Sequence, residues 1–287
     1  MKTPKRIQPL IEEGLIDEVT SRLMSGKEAD VFVVRCGGEV RCAKVYKEAA
    51  NRSFKQAVLY TEGRKSRNSR RSRAMDKGSK FGRQQQEETW HSAEVDALRK
   101  LHQAGVRVPQ PYSCVDGVLL MELVKDAEGD VAPRLGDVNF THEQAISGHG
   151  KVIRFVVQML CAGVVHGDLS EFNILQDENG PVIIDLPQAV DAAANNNAES
   201  MLARDVNRIR DFYGQFAPEL LDTQFAKEIW ELFESGDLRP DSPLTGLYQA
   251  PTDPADVDGV MLEIKSVIAE EESRIQRMAE LENDQNS

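Results

Sequence analysis

The densest chemistry in this sequence lies between Val164 and Asp185. The run Val164-Val165-His166-Gly167-Asp168-Leu169-Ser170-Glu171-Phe172-Asn173-Ile174-Leu175 carries the pattern H-x-D-x-x-x-x-N. A second apolar run, Val182-Ile183-Ile184, ends on Asp185. Two carboxylates and an amide at this spacing suit phosphoryl transfer. One carboxylate must sit beside an attacking hydroxyl, while the amide and the other carboxylate hold Mg²⁺ against nucleotide phosphates. D-x-x-x-x-N alone is common by chance. His166 two residues earlier, an apolar strand on each side and the trailing Ile-Asp make it specific. A loop can present Asp168 and Asn173 to one cavity, and the next hairpin brings Asp185 opposite, where hard oxygen ligands suit Mg²⁺ or, as a substitute, Mn²⁺.

The complement is found earlier in the chain. Lys44 lies in Cys42-Ala43-Lys44-Val45, on the third strand position where protein kinases hold V-A-I-K. A lysine among apolar neighbours needs a carboxylate partner. Glu94, in Trp90-His91-Ser92-Ala93-Glu94-Val95-Asp96, is the expected one, with Asp96 as competitor; both could instead face solvent on a helix. Ser25-Gly26-Lys27-Glu28-Ala29 is a candidate phosphate loop, in which Gly26 can bring backbone N–H groups close to phosphate and Lys27 adds charge. It is neither G-x-G-x-x-G nor a Walker A sequence.

These residues need elements to position them. Leu10, Ile11, Leu15 and Ile16 have helical spacing and predict a helix over 5–20. Asp30–Val34 and Val40–Tyr46, joined by Cys36-Gly37-Gly38, read as a β-hairpin. Helical spacing returns from Trp90 to Ala104, with Gly105 as C-cap and Pro109 and Pro111 beyond it. Val118–Val124 reads as a buried strand. Helices are expected at Glu143–Ala162, Ala198–Phe216, Thr223–Glu234 and Val257–Leu281. The organisation is α+β and two-lobed: an N-terminal helix over 1–20, a strand-rich lobe with one helix over 21–124, a helical lobe over 125–282 and a frayed tail over 283–287.

Composition bounds the rest. With 40% hydrophobic and 29% charged residues in 287, the chain is long enough for one large domain or two lobes. No stretch approaches an uncharged membrane span, and Glu12 and Glu13 interrupt any signal-like apolar region. Four scattered cysteines, with no C-x-x-C, read as free thiols in a reducing, cytoplasmic setting. A net charge of -12 disfavours a chain coated in nucleic acid. The segment 60–83 is the exception, with nine Lys and Arg against Glu62 and Asp76. It reads either as a solvated flexible loop or as a contact for RNA, a ribosome or another polyanion.

Taken together, Ser-Gly-Lys-Glu-Ala-Asp-Val-Phe, Ala-Lys-Val-Tyr, Val-Pro-Gln-Pro, Leu-Leu-Met-Glu, His-Gly-Asp-Leu-Ser-Glu-Phe-Asn and Ile-Asp-Leu-Pro-Gln resemble the RIO family of atypical serine/threonine protein kinases. The resemblance covers about residues 20 to 215. It implies a protein-kinase-like fold and an enzyme that uses ATP and Mg²⁺ to phosphorylate Ser/Thr of proteins, itself included, or to hydrolyse ATP. It implies that Lys44 binds the α/β-phosphates and pairs with Glu94. The backbone of Glu122 and Val124 would hold adenine, with Met121 lining the pocket. Asp168 would be the catalytic base, with Asn173 and Asp185 on the metal, and Asp185 could itself become phosphorylated in an ATPase cycle. Asp205 would brace the catalytic loop.

The sequence departs from ordinary protein kinases at several points. Gly167 stands where most have Arg, Leu186-Pro187 follows Asp185 in place of Phe-Gly, and no Ala-Pro-Glu follows. A standard activation segment is therefore not expected, and the helical lobe is a trimmed one. Two other classes share part of the pattern: small-molecule kinases of the aminoglycoside or choline type, and an ATP-switched ribonucleoprotein assembly factor. The Ser-Gly-Lys-Glu-Ala loop and Asp-Leu-Pro-Gln argue against the first of these.

Overall fold

The computed structural model describes residues 3–47 and 93–248. The basic segment 60–83, the expected helix Val257–Leu281 and the tail 283–287 lie outside the described residues.

A five-stranded antiparallel sheet comes first. Its strands are β1 (Glu18–Ser25), β2 (Ala29–Cys36), β3 (Glu39–Tyr46), β4 (Pro111–Val115) and β5 (Val118–Glu122), in the order β1-β2-β3-β5-β4. The predicted hairpin is β2–β3, with Gly37 and Gly38 both at positive φ in its turn. β3 is central, and Lys44 pairs with Val31 on one side and Leu119 on the other. Period-two alternation places Lys44 and Tyr46 on one face of the sheet and Ala43 and Val45 on the other. The second face is covered by a small core of Ile7, Leu10, Ile16, Phe32, Val34, Val45 and Leu120.

The helix expected over 5–20 is much shorter. Helix α1 spans Gln8–Glu12 only, and residues 18–20 already belong to β1. Gly14, at φ 73°, turns the chain out of the helix, and the Leu15 and Ile16 N–H groups fold back on the Leu10 carbonyl. Asp17 N–H then bonds Arg35 O and starts the sheet edge. Of the four spaced residues Leu10 and Ile16 are buried, Ile11 is half-buried and Leu15 is exposed, and a turn rather than a continuous helix brings the buried two together. β1 itself is exposed apart from half-buried Val19 and carries two register shifts, as an edge strand does. β4 begins on Pro111, so the proline that stops the preceding helix also opens an edge strand.

Helix α2, through 93–103, packs Val95, Leu98 and Leu101 into the large core. Gly105, at φ 79°, caps it, with Val106 N–H bonded to Leu101 O. After β5 the chain is mainly helical: α3 (His142–Cys161), α4 (Ala198–Tyr213) and α5 (Phe225–Glu234). Thr141 and Gln144 form a capping box that fixes the start of α3. Between α3 and α4 lie the short strands β6 (Val164–Val165), β7 (Ile174–Asp177), β8 (Gly180–Ile183) and β9 (Val190–Asp191). β6 pairs with β9 and β7 with β8, so the loop 166–173 and the stretch after Ile183 leave neighbouring ribbons. No helix among the described residues is long and apolar enough to cross a membrane. All four cysteines are free.

Candidate active site

The sheet and the helical part meet at a cleft of about 580 Å³. Lys44, Glu94, Met121, Glu122, Val124, Asn173 and Asp185 all line it, although they are spread over 142 positions of sequence from 44 to 185. Leu23, Met24 and Val31 from β1 and β2 form one wall; Ala132, Leu175 and Ile184 contribute to the other.

Lys44 is the hub. Its Nζ donates to Glu94 Oε1 and to Asp185 Oδ1, each at 2.6 Å. Lys44 is 7% exposed and Glu94 2%, so both charges are buried and each requires the other. Burial alone would lower the lysine's pKa; the two carboxylates reverse this and hold it above its ordinary value. Lys44 in turn holds the Asp185 carboxyl below the usual range. Tyr46 completes the arrangement by donating its hydroxyl to Glu94 Oε2 at 2.5 Å. Burial and the adjacent Glu94 push the Tyr46 phenol upward, so it stays a donor. Asp96, the competitor for Lys44, is exposed and pairs with Arg99.

Asp185 and Asn173 are held by adjoining strands. Ile174 pairs with Ile183, and Ile184 N–H bonds Asn173 O at 3.0 Å. Arg107 ties this hairpin to the segment after α2: its carbonyl accepts from Ile183 N–H, and its guanidinium clasps the Asp177 carboxylate. Asp185 adopts φ 66°, a left-handed conformation uncommon for a non-glycine residue, which aims its side chain across the cleft to Lys44. The Asn173 amide nitrogen donates to Asp168 O at 2.8 Å, which leaves its oxygen as the free end. One amide oxygen and one carboxylate are hard donors. They fit a small divalent cation whose other positions are filled by phosphate oxygens and water. Among the described residues no group of three or more His, Cys, Asp or Glu could hold a metal by itself.

The loop bearing Asp168 is fixed from below by α4. Asp205 Oδ2 accepts the Gly167 N–H at 2.8 Å, and its Oδ1 accepts the Leu169 N–H at 3.0 Å. Burial pushes the Asp205 carboxyl up to about 6, against the pull of His166 and of these two N–H groups. Arg204 donates to the Gly167 carbonyl, and Arg208 to Asp168 Oδ1 at 2.9 Å. Gly167 sits at φ 82°, which explains why the arginine usual in protein kinases gives way to glycine here. His166 packs beneath, with its Nε2 3.0 Å from Ile184 O.

A family model described as the RIO domain matches residues 30–226. The chain belongs to the RIO family. A RIO-type serine/threonine-protein kinase Rio1 from Haloferax volcanii is 34% identical over 208 residues, covering 72% of this chain and 67% of the relative. A RIO-type serine/threonine-protein kinase Rio2 from Methanocaldococcus jannaschii is 31% identical over 210 residues, covering 72% of each. The serine/threonine-protein kinase RIO1 of Homo sapiens is 28% identical over 228 residues, which is 78% of this chain and 37% of that protein. The chain thus spans well under half the length of the human relative.

Within this RIO domain the expected residues divide into two sets. Lys44, Glu94, Met121, Glu122, Val124, Asn173 and Asp185 converge on the cleft. Among the described residues the Val124 N–H, outside any strand, has no hydrogen-bond partner, while the Val124 carbonyl accepts from Ala132. Asp168 lies beyond the cleft lining and is joined to it through Asn173. Ser25, Gly26 and Lys27 do not line it either. The Gly26 N–H, expected to face phosphate, is engaged within its own turn by Ala29 O at 2.8 Å. Ser25 donates to Asp30 Oδ1 at 2.6 Å, and Lys47, not Lys27, binds the loop through the Gly26 carbonyl and Asp30. The loop is closed by its own bonds because a tight turn satisfies its backbone donors locally.

Sequence reasoning passed over Tyr46, Arg204, Arg208, Arg107 and Arg134. Tyr46 was legible as the same-face neighbour of Lys44. Arg204 and Arg208 flank Asp205 on α4 and lie one turn apart. Arg134 lines the cleft, donates to Met24 Sδ at 2.7 Å and helps to depress the Asp185 pKa, but it lies outside any periodic element and gave no signal.

Proposed function

We propose that this chain is a Mg-ATP-dependent phosphotransferase of the RIO type, with a two-lobed kinase architecture, that transfers the γ-phosphate to Ser or Thr hydroxyls of proteins, itself included, or to water. The observation that carries the reading is the Lys44–Glu94–Asp185 junction beside Asn173, with Asp168 joined to it through the Asn173 amide. In this reading the sheet with α2 is one lobe, the helical part from about residue 125 is the other, and nucleotide lies between them.

Each residue has a definite task. The free Val124 N–H and the Glu122 carbonyl offer a donor and an acceptor to the adenine edge, beside Met121. Lys44, prepared as a cation by two carboxylates, exchanges its Asp185 contact for phosphate oxygens and keeps Glu94. Asn173 and Asp185 would hold Mg²⁺, which supplies charge neutralisation at the phosphates. Asp168 orients the acceptor hydroxyl and takes its proton. Support for protein acceptors comes from the names of the relatives. α4 begins at Ala198, soon after Asp185, so this reading expects activity without phosphorylation of an activation segment.

Asp185→Asn tests the reading. It should abolish turnover of ATP in Mg²⁺ in an ADP-release assay, with and without a protein acceptor. Full activity of that variant would overturn the metal assignment. Mass-spectrometric mapping of phosphate on wild-type protein and acceptor separates Ser/Thr transfer from hydrolysis alone.

A further inference from the structure

Three side chains of α4 reach the loop that carries Asp168, and only two of them concern its backbone. Asp205 takes the N–H groups of Gly167 and Leu169, and Arg204 takes the Gly167 carbonyl. Arg208, one turn further along the same helix, goes to the Asp168 carboxylate itself, with Nη1 2.9 Å from Oδ1. We propose that Arg208 is a positioning residue for phosphoryl transfer: it anchors one oxygen of the Asp168 carboxylate and leaves the other to the acceptor hydroxyl. The inference rests on the reading of Asp168 given above.

The Asp168 backbone is held at both ends. Its N–H lies 3.3 Å from His166 Nδ1, and its carbonyl accepts from Asn173. That leaves the two side-chain torsions, and Arg208 is the partner that restrains them among the described residues. The restraint is a well-referenced one. Arg208 stands on the helix that already fixes the loop through Asp205, so carboxylate and loop share one rigid frame.

Misplacement of the carboxylate would leave nucleotide binding intact and slow transfer. In that transfer the hydroxyl proton passes to the free Asp168 oxygen, and the acceptor oxygen forms its bond to the γ-phosphorus. The bond from that phosphorus to the β,γ-bridging oxygen breaks, and ADP leaves with the electron pair. Arg208 does not line the nucleotide cleft. The pair is open to solvent, with side chains 44% and 41% exposed, so it contributes little to fold stability and its loss should not unfold the protein.

The test uses the full chain, Mg-ATP and dephosphorylated casein as the probe acceptor, with Arg208→Met, Arg208→Lys and Asp168→Asn compared. Arg208→Met should lower kcat about tenfold while the KM for ATP and the thermal midpoint stay at wild-type values. Arg208→Lys, which restores a cation without the planar fork, should recover part of the loss. A kcat for Arg208→Met within about twofold of wild type would overturn the proposal, as would a raised KM for ATP, a lowered midpoint or no recovery with lysine. Asp168→Asn separates the two layers. If it transfers phosphate at the wild-type rate, the reading of Asp168 falls and Arg208 with it. If it is silent while Arg208→Met is normal, the Arg208 proposal alone fails.

Discussion

Lys44→Met removes the cation at the centre of the cleft, and its cost can be worked from the contacts. Lys44 Nζ is 2.6 Å from one oxygen of Glu94 and 2.6 Å from one of Asp185. At an effective dielectric of about 20, each contact is worth roughly 6 kcal/mol before desolvation is subtracted. Desolvating the ammonium offsets several kcal/mol of that sum, so the net value of the intact pair is small. The variant differs because it leaves a carboxylate behind. Asp185, 45% exposed at its side chain, can recover water. Glu94, 3% exposed at its side chain, cannot, and among the described residues keeps only the Tyr46 hydroxyl. An unpaired buried charge costs about 3 to 5 kcal/mol, and the hydrogen bond retained from Tyr46 keeps the cost toward the lower end. Urea unfolding of the nucleotide-free protein at pH 7 should therefore show a loss of about 3 kcal/mol. Lys44→Met/Glu94→Gln should be more stable than Lys44→Met by about 1 to 2 kcal/mol, because the stranded charge is gone. A Lys44→Met stability equal to wild type would refute the reasoning. So would a double variant whose loss equals the sum of the two single losses.

Two further perturbations probe the frame around the site. Gly167→Ala forces a Cβ onto a backbone at φ 82° and should cost about 1 to 2 kcal/mol in chemical unfolding, with phosphate transfer falling more than ATP affinity because the loop shifts against Asp205. His149 is buried against Tyr213 and Phe225, and burial lowers its pKa from 6.5 to about 4. Between these values the unfolded chain binds the proton more readily, so the stability present above pH 6.5 is lost as pH falls toward 4, on the order of 3 kcal/mol. Asp205 acts in the opposite sense: its raised pKa, about 6, makes the native state gain stability as pH falls from 6 toward 4. His149→Phe keeps the ring contacts and removes the first effect, so its thermal midpoint should fall less than that of wild type between pH 7 and pH 4.5. Parallel midpoints would contradict the assignment.

The pattern from His166 to Asp185 was legible because its residues are fixed by short-range spacing. His166, Asp168, Asn173 and Asp185 lie just beyond the ends of two short ribbons, β6–β9 and β7–β8, whose pairing brings them to neighbouring places. Lys44 and Glu94 were legible from another rule, that a lysine in an apolar strand requires a carboxylate. The hairpin β2–β3, the C-cap of α2 and the helices α3 and α4 followed from period and punctuation. What was not legible depended on backbone turns. Leu10 and Ile16 have helical spacing, yet Gly14 breaks the helix and a turn buries both. Pro111 reads as a breaker and also begins an edge strand. The loop 25–28 was expected to hold its donors open, but a two-strand turn consumed the Gly26 N–H and recruited Lys47 from β3's end. Arg208 and Arg134 act across tertiary distances from positions that no local pattern distinguishes from solvated arginines.

The central claim is that Asp168 serves transfer and not nucleotide binding, and one comparison addresses it. Wild type and Asp168→Asn are each titrated with ATP in Mg²⁺ by calorimetry, then incubated with Mg-ATP and examined for phosphoserine and phosphothreonine by mass spectrometry. Asp168 lies outside the cleft lining, so the variant should bind ATP within about threefold of wild type and carry no new phosphate. A variant that loses ATP affinity, or that still transfers phosphate at the wild-type rate, would contradict the account.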